Sequence, residues 1–440
     1  MTSRRSLRLD PPRWKRVLGL AVLIPLLLAL AFFLRPRHLE DAQAQQVTVT
    51  RPGPSAKPPL ATGADPWALL ERAVQEGANS SAPIDDHAEL LEMQEQDRAW
   101  CSAVSVSKRK TGVEQQEAQA TEAATRATDE ASTRLMARWQ RLLTARGDAL
   151  SQAASALLGG SQQRMRDLAM NTNDPRVLAL LVGKTCPEDK ACKATLIERW
   201  RQLDPENAMP WLWQLDGLPK AEGRSESHAA SAARLAVLQG IANARHMDDG
   251  RASLQLLLHQ VNASTGPGLY DTAALVTLVG IDWARVIPPL GKLSHGCREA
   301  AQTSALAVTC EGAAEVLWKH SDDRLMRSMA VRTAGYQEGL RQDPKWQLRA
   351  QQVEAVAQWS DDFKHHIDGL VDLVNCEPSQ RHRQQTIKRL RQGDWEWSRQ
   401  TMAEAQVDET ALAQKYRAKG NKPLLRPADP PAPPPAEPAR

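Results

Sequence analysis

The sequence predicts an all-α protein, a helical array or bundle standing behind a single N-terminal transmembrane helix. Three observations predict it. Ala, Leu, Gln, Arg and Glu, all good helix formers, dominate the composition, while the strand-favouring Tyr and Phe number three each. Apolar residues recur at spacings of three and four through most of the chain beyond residue 113. Near the start, Val17–Leu34 (VLGLAVLIPLLLALAFFL) runs for 18 residues without a charge.

As a helix that run spans about 27 Å, enough to cross a bilayer, and Pro25 is tolerated in such a helix. Arg4, Arg5, Arg8, Arg13, Lys15 and Arg16 precede it, against Arg35 and Arg37 after it. The positive-inside rule therefore places residues 1–16 in the cytoplasm and the body across the inner membrane, in the periplasm. Ala42-Gln43-Ala44 also has the small-x-small pattern of a signal-peptide cleavage site. It lies beyond Arg35, Pro36, Arg37 and His38, however, which favours an uncleaved anchor at 17–34. The first 38 residues contribute +7 of the +4 net charge, leaving the rest at −3. A body so balanced lacks the electrostatic footprint of a nucleic-acid binder. Arg outnumbers Lys by 40 to 16.

Five prolines between residues 47 and 66 make 35–66 an extended linker, and 419–440 reads as a disordered Pro/Ala-rich tail. Between them lie a long-helix region, 67–170, and a helical-array domain, 171–418. In the first, residues 113–147 form one long helix striped by Ala120, Ala124, Ala127, Ala131, Leu135, Trp139 and Leu142. Such a stripe suits a close neighbour helix or self-association into a homo-oligomer. Gly159-Gly160-Ser161 breaks the helical pattern. Asp-Pro at 65–66, 174–175, 204–205 and 343–344 reads as a set of helix starts, since Asp caps free backbone N–H groups and Pro suits the first turn. Helical runs are expected at about 175–184, 191–203, 207–216, 226–245, 250–263, 268–287, 298–319, 322–341, 344–375 and 380–417, joined by short Gly-, Pro- or Asn-bearing connections.

Trp200-Arg201-Gln202-Leu203-Asp204-Pro205-Glu206-Asn207-Ala208 resembles the junction between tetratricopeptide repeats. The resemblance covers about ten residues and implies a tetratricopeptide-like α-solenoid. The segment Asp174 to Leu215, with its Cys pair and Pro-Trp-Leu-Trp, also resembles uncharacterised membrane-anchored helical envelope proteins of proteobacteria, a likeness that implies no activity.

Six cysteines, an even set in an exported chain, suggest disulfides. Cys186 and Cys192 flank a short polar loop and suit a bridge across a helix–helix turn. Cys297 and Cys310 suit a clamp on one helical segment or its neighbour, and Cys101 and Cys376 remain. The spacings fit neither a zinc site nor a C-x-x-C redox pair.

No catalytic constellation stands out. Val182-Gly183-Lys184-Thr185 ends like a phosphate loop but lacks the earlier Gly, Leu178 standing there instead. No Gly-x-Ser-x-Gly elbow occurs. Asp361, His365, Asp368 and Asp372 project together from a helix whose opposite face carries Val353, Val356, Phe363, Ile367, Leu370 and Val374. They form a candidate metal face, with a solvated acidic surface as the plainer reading. Trp200, Trp211, Trp213, Trp346, Trp359, Trp395 and Trp397 suit core packing, or a groove for glycan or peptide. Trp211 and Trp213, two apart, face different sides of a helix. Residues 381–426 are locally basic. No cofactor is indicated. Two functional readings follow: a membrane-anchored periplasmic scaffold that binds an envelope protein, and a cell-wall-directed hydrolase or glycan/peptide-binding protein.

Overall fold

In a computed structural model of the chain, the structure describes residues 87–108, 114–218, 228–262, 269–283, 287–300, 304–366, 385, 388–389 and 392–425. All belong to the second of two compact units, Pro66–Arg440, the first being Met1–Asp65. The expected anchor at 17–34 and the proline linker lie outside the described residues. Among those residues, no helix is long and apolar enough to cross a membrane.

The described residues are helical, without a strand. They form α1 (His87–Lys108), α2 (Glu114–Arg146), α3 (Ala149–Gly159), α4 (Gln162–Asn171), α5 (Pro175–Thr185), α6 (Lys190–Leu203), α7 (Ala208–Gln214) and α8 (His228–Ala242). Then come α9 (Arg251–Val261), α10 (Leu269–Trp283), α11 (Leu290–Ala300), α12 (Ser304–His320), α13 (Arg324–Ala334), α14 (Glu338–Gln342), α15 (Pro344–His366), α16 (Asp394–Glu404) and α17 (Glu409–Ala418).

Local chemistry sets many of the boundaries. Gly160, in the left-handed conformation at φ 67°, ends α3, and the Ser161 hydroxyl accepts the Arg164 N–H to start α4. Asp174 Oδ1 accepts the Arg176 N–H at 2.9 Å with Pro175 as the first residue of α5. Asp343 does the same for Lys345 at 2.8 Å ahead of Pro344 and α15. Asp204-Pro205 corrects the pattern. Asp204 ends α6, and the cap of the next helix is Asn207, whose Oδ1 accepts the Met209 N–H at 3.0 Å. The expected run 298–319 takes in only the last three residues of α11 and then α12. The run 322–341 is likewise broken between α13 and α14, and α16 and α17 are separate.

The long helix appears as expected, and its Leu/Trp half faces inward. Ala131, Leu135, Trp139 and Leu143 are buried where α2 packs on α3 and α10. This half of the stripe packs within the chain. The side chains of Ala120 and Ala124 lie outside the described residues. Helices α5 to α8 pack each on the next, whereas α9 contacts α2, α3 and α5, and α10 contacts α1 and α2. Two buried side chains seal these returns. Arg138 donates to Val261 O at 3.0 Å, at the C-terminus of α9, and Asp97 Oδ1 accepts the Tyr270 N–H at 2.8 Å, at the N-terminus of α10.

Residues 419–425, expected as the start of the tail, are instead laid back on the body. Glu354 on α15 has a fully buried side chain; it accepts Arg417 Nε at 2.7 Å and the Leu424 N–H at 2.9 Å. Leu424 and Leu425 pack against the core. Residues 426–440 lie outside the described residues.

Candidate functional site: an arginine–tryptophan seam

Two disulfides expected from spacing are present, Cys186–Cys192 between α5 and α6 and Cys297–Cys310 between α11 and α12. Cys101 is also disulfide-bonded. Cys376 lies outside the described residues. Both described pairs join successive helices, which fixes turns rather than building a reactive site.

The tryptophans divide clearly. Trp200, Trp346, Trp395 and Trp397 are buried, as is Trp213. Trp211 is half-exposed, as its offset from Trp213 implies, but its ring is not open to a ligand. It lies against Gly240 of α8, where a Cβ would collide with it, and the Arg201 guanidinium covers it at 4.5 Å. Among the described residues, Trp200, Trp213, Trp346, Trp395 and Trp397 fill the core, while Trp359 is half-buried.

Where α12, α13, α15 and α16 meet, indoles and guanidinium groups alternate in one stack. Arg349, one turn along α15 from Trp346, lies 4.4 Å from that ring and 4.9 Å from Trp318 of α12. Arg327 of α13 lies 5.1 Å from Trp318 and 4.7 Å from Trp395 of α16. Trp318 and Trp395 meet edge to face with centroids 5.4 Å apart. Each contact of this kind contributes about 0.5–2 kcal/mol according to its desolvation.

The loop between α12 and α13 holds the stack in register. Ser321 Oγ accepts the Asp323 N–H at 3.0 Å, and Asp323 Oδ1 caps α13 by accepting the Leu325 N–H at 2.6 Å. The Trp395 N–H donates to Asp322 O at 2.9 Å. Gly393, at φ 80°, is required for that approach, since a Cβ there would strike Asp322.

The two arginines differ. Arg349 forks onto Glu315 at 2.8 and 3.0 Å, and Lys345 reaches the same carboxylate at 2.6 Å. Burial of Glu315 would raise its pKa, but these two partners outweigh it and hold the carboxyl below its ordinary value. Arg327 has no such fork. Its Nε donates to Ser321 O at 2.8 Å, and among the described residues no carboxylate forms an ion pair with it. Burial pushes its pKa down to about 10; Glu396 and Asp322 oppose this from a distance, while Arg399 and Arg349 add to it.

A second polar cluster joins the α6–α7 turn to the α8–α9 turn. Asn207 and His246 form a parallel bridge. Asn207 Nδ2 donates to Asp248 O at 3.0 Å and its Oδ1 accepts the Asp248 N–H at 3.1 Å, so the side-chain amide imitates a backbone pair. His246 Nε2 lies 3.1 Å from Asp204 Oδ2, and that bond raises the histidine pKa above 6.5 against the effect of burial. Asp248 is pushed up to about 6, chiefly by burial, although it accepts the Gly250 N–H at 2.8 Å.

The proposed metal face is only partly in view. Asp361 lies half-buried on α15, while the His365 side chain and all of Asp368 and Asp372 lie outside the described residues. Its neighbour Asp362 pairs with Lys415 at 2.8 Å and Lys419 at 3.6 Å, turning that edge of the helix toward α17. Among the described residues no three His, Cys, Asp or Glu side chains are grouped to hold a metal ion. Gly183, Lys184 and Thr185 close α5, with Thr185 Oγ1 donating to Leu181 O at 2.8 Å, as expected of a helix end and not of a phosphate loop. Sequence reasoning missed Trp318, Arg327 and Arg349, which come from separate helices and carry no local signature. Comparisons with protein-family models, curated proteins and solved structures returned no match.

Proposed function

We propose that the chain is a membrane-anchored periplasmic scaffold whose helical body, a tetratricopeptide-like array in α5 to α8, binds another envelope protein. The observation that carries the interaction role is the seam. Arg is among the residues most often found at the energetic centre of protein interfaces, and here the partly exposed Arg327 and Arg349 are held rigidly over buried indoles. Rigid anchors bind with little loss of conformational freedom. The anchor rests on the uncharged run Val17–Leu34 with its basic N-terminal flank. Disulfides Cys186–Cys192 and Cys297–Cys310 are consistent with an oxidising compartment. Glycan binding is less well supported, because sugar rings need an open indole face and those of Trp346 and Trp395 are buried.

The test is crosslinking of the tagged full-length chain in intact cells, followed by membrane fractionation and mass spectrometry. The expected result is recovery with the membrane and one dominant partner, crosslinked to α13, α15 or α16. Recovery of the chain alone, or of crosslinks scattered over the surface, would overturn the scaffold reading.

A further inference from the structure

The geometry points to Arg327 as a preorganised receptor for a carboxylate on an acidic segment of a partner protein. Its guanidinium lies 5.1 Å from Trp318 and 4.7 Å from Trp395, two rings that meet edge to face and flank it on one side. Its Nε edge is fixed by the 2.8 Å bond to Ser321 O. The plane of the fork is therefore set before any ligand arrives, and the two terminal nitrogens are the donors left over. A carboxylate matches two such parallel N–H groups in spacing and charge.

The surrounding charges support an incoming anion. Arg349 and Arg399 both act on Arg327 as like charges. Arg349 is already engaged by Glu315, and Arg399 by Glu409 at 3.1 Å. Of the two acids that act on Arg327 from a distance, Asp322 is held by Arg251 at 2.6 Å, and Glu396 is exposed on the first turn of α16. The neighbouring pair Arg349–Glu315 displays, within this chain, the arrangement an incoming carboxylate would adopt on Arg327. An acidic segment is the occupant favoured by charge complementarity, because Arg349 and Arg399 add to the positive charge around Arg327. This inference rests on the interaction role proposed above for the source of the ligand, and on the seam alone for its chemistry.

The experiment is titration of the full-length chain, in mild detergent, with a short oligoglutamate peptide and with oligoglutamine of equal length, read by fluorescence anisotropy at low and high salt. Oligoglutamate should bind saturably and more weakly at high salt, and oligoglutamine should not. Arg327→Lys keeps a cation beside the indoles but removes the fork, and should weaken binding about ten-fold. Arg327→Gln should abolish it, and Arg332→Gln, an exposed arginine on the same helix, should leave it unchanged. Far-UV circular dichroism establishes that each variant folds; if Arg327→Gln does not, the wild type and Arg327→Lys decide. Equal binding of the two peptides, or wild-type binding by Arg327→Lys, would overturn the proposal. Displacement by free acetate as effectively as by the peptide would reassign the site to small carboxylates and overturn the acidic-segment reading. Peptide binding without a cellular partner would leave this site standing and remove the scaffold; a partner crosslinked elsewhere, with no peptide binding, would do the reverse.

Discussion

The turn cluster at Asp204, Asn207, His246 and Asp248 and the seam of Trp346, Arg349, Trp318, Arg327 and Trp395 both fasten elements distant in sequence, by opposite means. The first uses short polar side chains that substitute for missing backbone partners. The second uses large flat groups that gain from area and from the attraction between cation and ring. The cluster contains two groups that titrate near neutrality, His246 above 6.5 and Asp248 at about 6. Arg327 in the seam, at about 10, stays charged throughout that range. The difference teaches that one fold can hold one joint responsive to acidity and another indifferent to it.

Trp346→Ala should do the most damage, costing about 3–5 kcal/mol by opening a cavity under Arg349. Its penalty in denaturant unfolding should be the same at mildly acid and mildly alkaline pH; a penalty that varied with pH would break the contrast. Asn207→Ala should come next, at about 2–3 kcal/mol, because it removes the cap of α7 and leaves both backbone groups of Asp248 without their partner.

Asp248→Asn should act in the other direction. A carboxyl whose folded pKa is raised from 3.8 to about 6 binds its proton more tightly in the folded state. Stability is therefore lost as pH rises through that window and stays lost above it. Asn keeps the acceptor for Gly250 and carries no charge. The variant should gain about 3 kcal/mol at pH above about 7 and nothing below about pH 4. His246, also raised, adds stability below 6.5 that fades as pH rises past its folded value, so the wild type should melt highest in mild acid. A flat profile of melting temperature against pH would sink this reading of the cluster. Arg245→Ala should matter least, under about 1 kcal/mol, since its 3.1 Å pair with Glu206 is exposed on both sides.

What the sequence revealed, and what it concealed, follows the reach of each interaction. Asp174-Pro175, Asp343-Pro344 and Gly160-Ser161 were legible because each cap bonds within a few residues. Asp204-Pro205 misled because its carboxylate has a partner 42 residues away in His246, while Asn207 takes the cap. Helix α11 (LGKLSHGCREA) went unread because Gly and Ser weaken its local preference; burial of Leu293 and Cys297, and the bond to Cys310, stabilise it from outside. The cysteine pairs were legible from loop length. The seam was not, because four helices each contribute one or two ordinary residues to it.

Glu354 makes the interior of α15 depend on residues far downstream. The partners of this buried carboxylate, Arg417 and the amide of Leu424, lie 63 and 70 residues downstream. A nascent or prematurely terminated product ending before residue 417 carries an uncompensated anion in its interior, which costs several kcal/mol and favours local opening. Such fragments would be exposed to proteases, whereas a chain that carries residues 417–424 closes over the charge with them.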